Sequence, residues 1–317
     1  LDTYSKSDNP RGRGAVVMAP LYTDMERDII TDPQNMEQAQ QLWDDGRSIL
    51  RATTEFAHRR LGAKVIGLGA TLPNLTYFGQ ALHTLDTPKL VTTTGHGGTV
   101  HMIVETVRKI MHETSIESEK KIGVIGGAGS IGWSSTVAAM EMIPDHSIIT
   151  FDTRSQKLAE NVGSYDWSRR MRIVNSAREV LEETNIIMVA TTTPIDLDEM
   201  DPNCVLDLHG KVIIDDSQPG CFDAKQVNSR GGKLVWVVGE DGSDDKCMTR
   251  DGYHSNGVPY DYGDKSGLVG HASEFACGQE AAVISLYSAY SSAIRERVSP
   301  EHVRIIGGLF AAAKVRV

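Results

Sequence analysis

The sequence predicts an α/β protein of two domains, the C-terminal one a doubly wound, Rossmann-type parallel sheet. Between Lys120 and Gly132 a short apolar strand runs straight into a glycine turn and then into a helix-forming stretch over residues 130–142. Strand-like and helix-like segments alternate on both sides of that turn, the pattern of a mostly parallel sheet covered by helices. The length, 317 residues, exceeds what one ordinary core holds.

Residues 15–20 read as a short apolar strand. Over residues 35–60, Leu42, Ile49, Leu50, Phe56 and Ala57 recur at nearly helical spacing. Strands are expected at 64–68 and 89–93, with a helix over 72–82 between them, and the first of these strands ends in Gly67-Leu68-Gly69-Ala70. The run Thr92-Thr93-Thr94-Gly95-His96-Gly97-Gly98-Thr99 marks a change of character, and an amphipathic helix follows over 100–112. The domain boundary falls here: residues 1–98 form an N-terminal α/β domain, 99–118 a linking helix, 119–270 the Rossmann domain and 271–317 a C-terminal helical segment. Beyond the glycine turn, strands at 147–152, 172–174, 185–190, 211–215 and 233–238 complete the doubly wound sheet.

Composition narrows the function classes. A formal charge of −10, from 32 basic against 42 acidic residues, argues against a nucleic-acid surface, which needs an extended basic face. No stretch approaches the length of a membrane helix, and residues 1–14 are too polar for a signal peptide. The four cysteines, Cys204, Cys221, Cys247 and Cys277, lack Cys-x-x-Cys spacing and are too few for a disulfide framework, so a reducing cytoplasm fits best. No metal site is assigned, because His96 and His101 have no third ligand at recognisable spacing.

The glycine turn, Gly126-Gly127-Ala128-Gly129-Ser130-Ile131-Gly132, carries a Gly-x-Gly-x-x-Gly pattern in the required strand–turn–helix context. Gly127 and Gly129 let the backbone turn and approach a pyrophosphate, and Gly132 lets the following helix pack close to the strand. The phosphates would sit on the positive helix N-terminus. Asp152 stands 20 positions after Gly132, where a carboxylate accepts from the adenosine ribose and favours NAD. Arg154, two residues later, can instead clamp a 2′-phosphate and favour NADP. Thr191 and Thr192, after the strand ending at Ala190, should face the cofactor crevice, or else form an ordinary turn.

The segment Phe275-Ala276-Cys277-Gly278-Gln279-Glu280-Ala281 opens a helix continuing to about residue 294. In a first helical turn, unsatisfied N–H groups and the helix dipole favour a thiolate, although a buried, inert thiol is the usual state of a free cysteine. His254 and His271 precede Cys277 and are candidate bases for it. Glu280, one turn later, can orient a water or serve as a cap.

Thr93-Thr94-Gly95 with Thr99, the glycine turn at 126–132 and the Phe275–Ala281 segment resemble the successive signatures of the long-chain fatty acyl-[acyl carrier protein] reductases of cyanobacteria, and Gly67-Leu68-Gly69-Ala70 falls where that family has a similar glycine turn. The resemblance runs from about residue 15 to 290. It implies a two-step reduction in which Cys277 attacks an acyl thioester, of acyl carrier protein or coenzyme A, and NADPH releases a fatty aldehyde from the acyl-enzyme. It also implies that Thr94, Gly95, His96 and Thr99 lie on the substrate side. Two positions depart from the family, since His96 and Gly98 stand where it has Asn and His. Asp152 keeps NADH possible as cofactor. The acidic run at 241–264, with Asp244, Asp245, Asp251, Asp261 and Asp264, suits a solvated lid and a short or polar acyl group. An acidic carrier protein would need basic residues such as Arg169, Arg170 and Arg172, which also read as a solvated charge run. Two other classes fit the same two-domain plan: a direct dehydrogenase of the shikimate or amino-acid type without a covalent intermediate, and a non-catalytic dinucleotide sensor.

Overall fold

The computed structural model describes residues 2–4, 12–14, 17, 36–69, 72–85, 90–113, 121–143, 146–167, 170–217, 220–237, 239–241, 254–255, 258–259, 273–274, 276–313 and 315–316. The strand expected at 15–20, apart from one residue, most of the acidic run at 241–264, Arg169, Cys247 and His271 lie outside them.

Six parallel strands form the main sheet: β3 (Ile122–Ile125), β4 (Ile148–Phe151), β5 (Met171–Ile173), β6 (Ile186–Val189), β7 (Val212–Asp215) and β8 (Lys233–Trp236). Their spatial order, β8-β7-β6-β3-β4-β5, reverses direction between β3 and β6 and is the order of a doubly wound Rossmann sheet. β3, β6 and β7 are buried along their whole length, as strands covered on both faces must be. Upstream, β1 (Val65–Gly67) and β2 (Val91–Thr93) pair in parallel as a separate two-stranded sheet, preceded by α1 (Met36–Leu61).

The main sheet separates two apolar layers. On one face Ile125, Ile149, Ile187, Val189 and Ile213 pack with helix α6 (Ala177–Glu183) and with Leu206, Leu208, Phe222 and Val227. On the other, Ile122, Val124, Ile148, Met188 and Ile214 meet α3 (His96–Glu113), α4 (Ser130–Met142), α9 (Ala276–Leu286) and α10 (Pro300–Ala312). α3 contributes Val100, Ile103, Val104 and Val107 to this layer, each at most 2% exposed, so the helix sits at the centre of the core.

Three local differences from the sequence expectations have clear causes; in the first, the helix expected to run to about residue 294 stops at Leu286, because Ser288 takes a positive φ of 51° before a 3-10 turn at Tyr290–Ser292. The helix expected over 72–82 stops after one turn, α2 (Leu72–Leu75), because Tyr77, Phe78 and Gly79 all take positive φ (50°, 59° and 83°) before a 3-10 turn at Gln80–Leu85. The helix expected from residue 100 starts at His96, so the glycine pair Gly97-Gly98 is helical. A Cβ at Gly98 would lie 2.5 Å from the Ala276 carbonyl oxygen, and that close approach, a tertiary demand, outweighs glycine's low helix propensity.

Candidate functional site

Gly126 follows β3, its φ of 90° starting the turn, and a Cβ there would meet the Ala190 carbonyl oxygen beyond the neighbouring strand at 2.2 Å. Gly127 lies against Thr150 on β4, with only 2.1 Å between a built Cβ and the hydroxyl oxygen, and Gly132 lies against the Gly126 carbonyl oxygen at 2.1 Å. These three glycines are required by the protein's own packing. Gly129 is less tightly enclosed: a Cβ there would lie 3.2 Å from the Gly126 carbonyl oxygen, still a close contact, and 3.6 Å from the Ala190 carbonyl oxygen and the Arg154 guanidinium. It is also the N-cap of α4 and makes no side-chain cap, which leaves the N–H groups of Ser130 and Ile131 open to an anion. Donors and dipole therefore fit a pyrophosphate.

At the end of β4, Asp152 is turned inward, 6% exposed. One oxygen accepts from the Ala128 N–H at 2.8 Å, and the other from the Arg154 N–H at 2.8 Å and from Arg154 Nε at 3.2 Å. Burial works against its ionisation, but the hydrogen bonds from Arg154 and Ala128 together outweigh it and hold the carboxyl below its usual range. Asp152 thus fastens the glycine turn to Arg154. Around it the positive charges of Arg154 and of Arg297, from the loop before α10, both act on Lys157 and, after burial, lower its pKa. Lys157 and Arg297 carry no motif; their positions became visible only in three dimensions.

The second constellation forms where β1, β2, α3 and α9 meet. Cys277, which is not disulfide-bonded, occupies the first turn of α9 and is partly exposed. Its backbone presses on Gly95, where a Cβ would lie 2.5 Å from Cys277 Cβ, and its sulfur lies 4.0 Å from a Cβ built at Gly69. Gly67 faces Ala281 one turn further on, at 2.9 Å. The two glycine turns that sequence places some 26 residues apart are the seat of one helix end.

Glu280 is completely buried and closes this junction. Its carboxylate accepts from the Thr93 hydroxyl, from the Gly98 N–H at 2.7 Å, and from the Gly95 and Gly97 N–H groups. Burial pushes its pKa above the usual carboxylate range, although those four donors pull the other way. The Thr93 oxygen in turn accepts from the Ile294 N–H at 3.0 Å. Glu280 is therefore an anchor that ties α9 to the N-terminus of α3 and positions Cys277; its oxygens are occupied by these donors. Thr94 supports the same corner, with its N–H on the Ile294 carbonyl at 2.9 Å and its hydroxyl accepting from the His96 N–H at 3.3 Å, and Thr99 is buried one turn along, its N–H on the Gly95 carbonyl.

His96 joins the two constellations. Its Nδ1 lies 3.4 Å from the Ser130 hydroxyl at the start of α4, and its ring meets Phe78 edge to face at 6.0 Å. Burial lowers its pKa to about 4, so the ring is neutral near pH 7. At the other side of the crevice the Thr191 N–H donates to Ser217 at 3.4 Å and the Cys221 thiol to the Thr191 carbonyl at 3.0 Å, while Thr192 is exposed. Asp215 closes this edge, accepting from the N–H groups of Ser217, Cys221 and Phe222. The pair Asp215-Asp216 at a strand end before Ser-Gln-Pro-Gly is the sequence signal that marks it. Among the described residues no three His, Cys, Asp or Glu side chains converge as a metal site would need. Nor is any helix there long and apolar enough to cross a membrane.

The sheet order and the glycine turn place the chain in the class of Rossmann-type α/β proteins. No protein-family model matches it, and no curated sequence does. Solved structures similar to it include an imine reductase from Bacillus cereus (21% identity, 38% of this chain and 41% of that one, TM-score 0.29). The nucleotide-binding domain of glutamyl-tRNA reductase from Thermoplasma volcanium is another (16%, 44% and 85%, 0.29), as is L-tryptophan dehydrogenase from Nostoc punctiforme (10%, 84% and 65%, 0.43). The matched region spans about two fifths of the imine reductase.

Proposed function

We propose that the protein is an NAD(P)H-dependent oxidoreductase that reduces an acyl thioester to an aldehyde through an acyl-enzyme on Cys277. The observation that carries this reading is the convergence of Cys277 and the α3 N-terminus, with His96 reaching from that junction to Ser130 at the dinucleotide end of α4. The chemistry balances. The Cys277 thiolate adds to the thioester carbonyl, and expulsion of the donor's thiolate, which takes up a proton, leaves the acyl group on sulfur. When bound, the reduced nicotinamide supplies hydride to the acyl carbon. Collapse of the resulting oxyanion breaks the carbon–sulfur bond, frees the aldehyde and restores the Cys277 thiolate. The N–H groups at the start of α9 are the donors suited to that oxyanion.

NADPH is the favoured cofactor in this reading. The Asp152 carboxylate is committed to Ala128 and Arg154, whereas Arg154, Lys157 and Arg297 gather positive charge at the place a 2′-phosphate would occupy.

The test is intact mass after mixing the protein with a panel of acyl-coenzyme A thioesters without reduced cofactor, beside Cys277→Ala. An adduct equal to the acyl group in wild type alone supports the mechanism. No adduct with any donor, together with retained turnover of an alcohol or amine by Cys277→Ala, would replace it with direct dehydrogenation.

A further inference from the structure

The two aspartates at the end of β7 are used in opposite ways. Asp215 is 2% exposed and satisfied by three backbone N–H groups on the side of the sheet that carries Cys221 and Phe222. Asp216 extends the ladder by one residue, its N–H on the Val189 carbonyl of β6 at 3.1 Å. Side chains alternate along a strand, so Asp216 shares the face of Ile214 and Met188, which is the face covered by α3, α4 and α9. Its carboxyl receives no hydrogen bond from any described residue. Asp216 is half-buried; burial, and after it the neighbouring Asp215 carboxylate, push its carboxyl well above the usual carboxylate range, toward the protonated form that offers one donor and one acceptor.

The sheet order says what would meet it. In a doubly wound sheet the dinucleotide crosses the carboxyl edge at the reversal between β3 and β6. With the adenosine half on the β4 side, by Asp152 and Arg154, the nicotinamide half lies over the ends of β6 and β7. Ala190 and Asp216 close those two strands, and Ala190 has no polar side chain.

We infer that Asp216 is a positioning residue for the nicotinamide, its carboxyl pairing with the ring's carboxamide, hydroxyl to amide oxygen and carbonyl oxygen to amide N–H. This rests on the reading of a nicotinamide dinucleotide in the crevice, but not on the thioester chemistry. The amide of an asparagine offers the same donor–acceptor pair, whereas alanine offers neither.

The experiment measures dissociation constants of NADPH and of 2′,5′-ADP, which lacks the nicotinamide half, by titration calorimetry for wild type, Asp216→Ala and Asp216→Asn. The expected result is NADPH binding weakened about tenfold or more in Asp216→Ala, with 2′,5′-ADP within about twofold of wild type and NADPH binding largely restored in Asp216→Asn. Retained 2′,5′-ADP affinity also reports that the variant is folded. Equal loss of both ligands, or NADPH affinity unchanged in Asp216→Ala, would overturn the assignment. Wild type that binds neither ligand would overturn the dinucleotide reading itself, and the role of Asp216 with it.

Discussion

Glu280→Ala removes the carboxylate that holds four donors at the junction of α3, α9 and β2. The Thr93 hydroxyl and the N–H groups of Gly95, Gly97 and Gly98 lose their shared acceptor in a place with no measurable exposure to water. A buried donor left without a partner costs roughly 1–3 kcal/mol, and four such donors lose this acceptor, with partial relaxation recovering some of the cost. The expected destabilisation is therefore about 3–5 kcal/mol, a large share of the ~5–15 kcal/mol that holds a typical domain. Glu280→Gln keeps one acceptor oxygen but points an amide N–H₂ at a donor, and should lose about 1–3 kcal/mol. Urea unfolding followed by tryptophan fluorescence measures both, as a shifted midpoint with an unchanged slope. The same variants should change the alkylation rate of Cys277, whose helix turn Glu280 holds in place. A loss below about 1 kcal/mol in Glu280→Ala would refute the anchor, because the donors would then have been satisfied by something else.

Three further outcomes are expected. Gly132→Ala puts a Cβ 2.1 Å from the Gly126 carbonyl oxygen, a backbone atom that must move, so dinucleotide affinity should fall at least tenfold by calorimetry while near-wild-type affinity would contradict the loop geometry. Iodoacetamide followed by peptide mass spectrometry should label Cys277 and spare Cys221, whose thiol burial, and then Asp215, push up to about 12, leaving on the order of one thiolate in ten thousand at pH 8. His96 binds its proton less readily folded than unfolded, so the unfolded state holds more protons between about 4 and 6.5, and stability must fall as pH drops through that window. The full effect corresponds to about 3 kcal/mol and should be largely absent in His96→Gln, compared by urea unfolding at pH 7 and pH 4.5.

The parts of this protein legible in its sequence are those built from near neighbours. The apolar run at Ile122–Ile125, the glycines after it and the helix at Ser130–Met142 lie within one short stretch, and strand-like runs such as Ile186–Val189 and Val212–Asp215 declare themselves by a majority of β-branched residues. The alternation of these with helices suffices for the fold class, because crossovers between parallel strands leave few arrangements. Other features depend on partners far along the chain. Gly97 and Gly98 read as a loop until α9 is packed against them, and the helix after Leu72 looks continuous until Phe78 is drawn toward His96 by a left-handed turn. Glu280 reads as a water-orienting residue or a cap one turn from a cysteine; 187 residues separate it from Thr93, the donor that makes it an anchor. Asp215 and Asp216 are chemically identical neighbours, and only the facing of the strand gives one of them three backbone donors and the other none from the described residues. The sequence by itself therefore determined most of the elements and the glycine turn, since those follow from local steric and hydrophobic period. The tertiary structure decided which carboxylates are spent on the fold and which remain for a ligand, since burial and hydrogen-bond satisfaction are properties of what packs together.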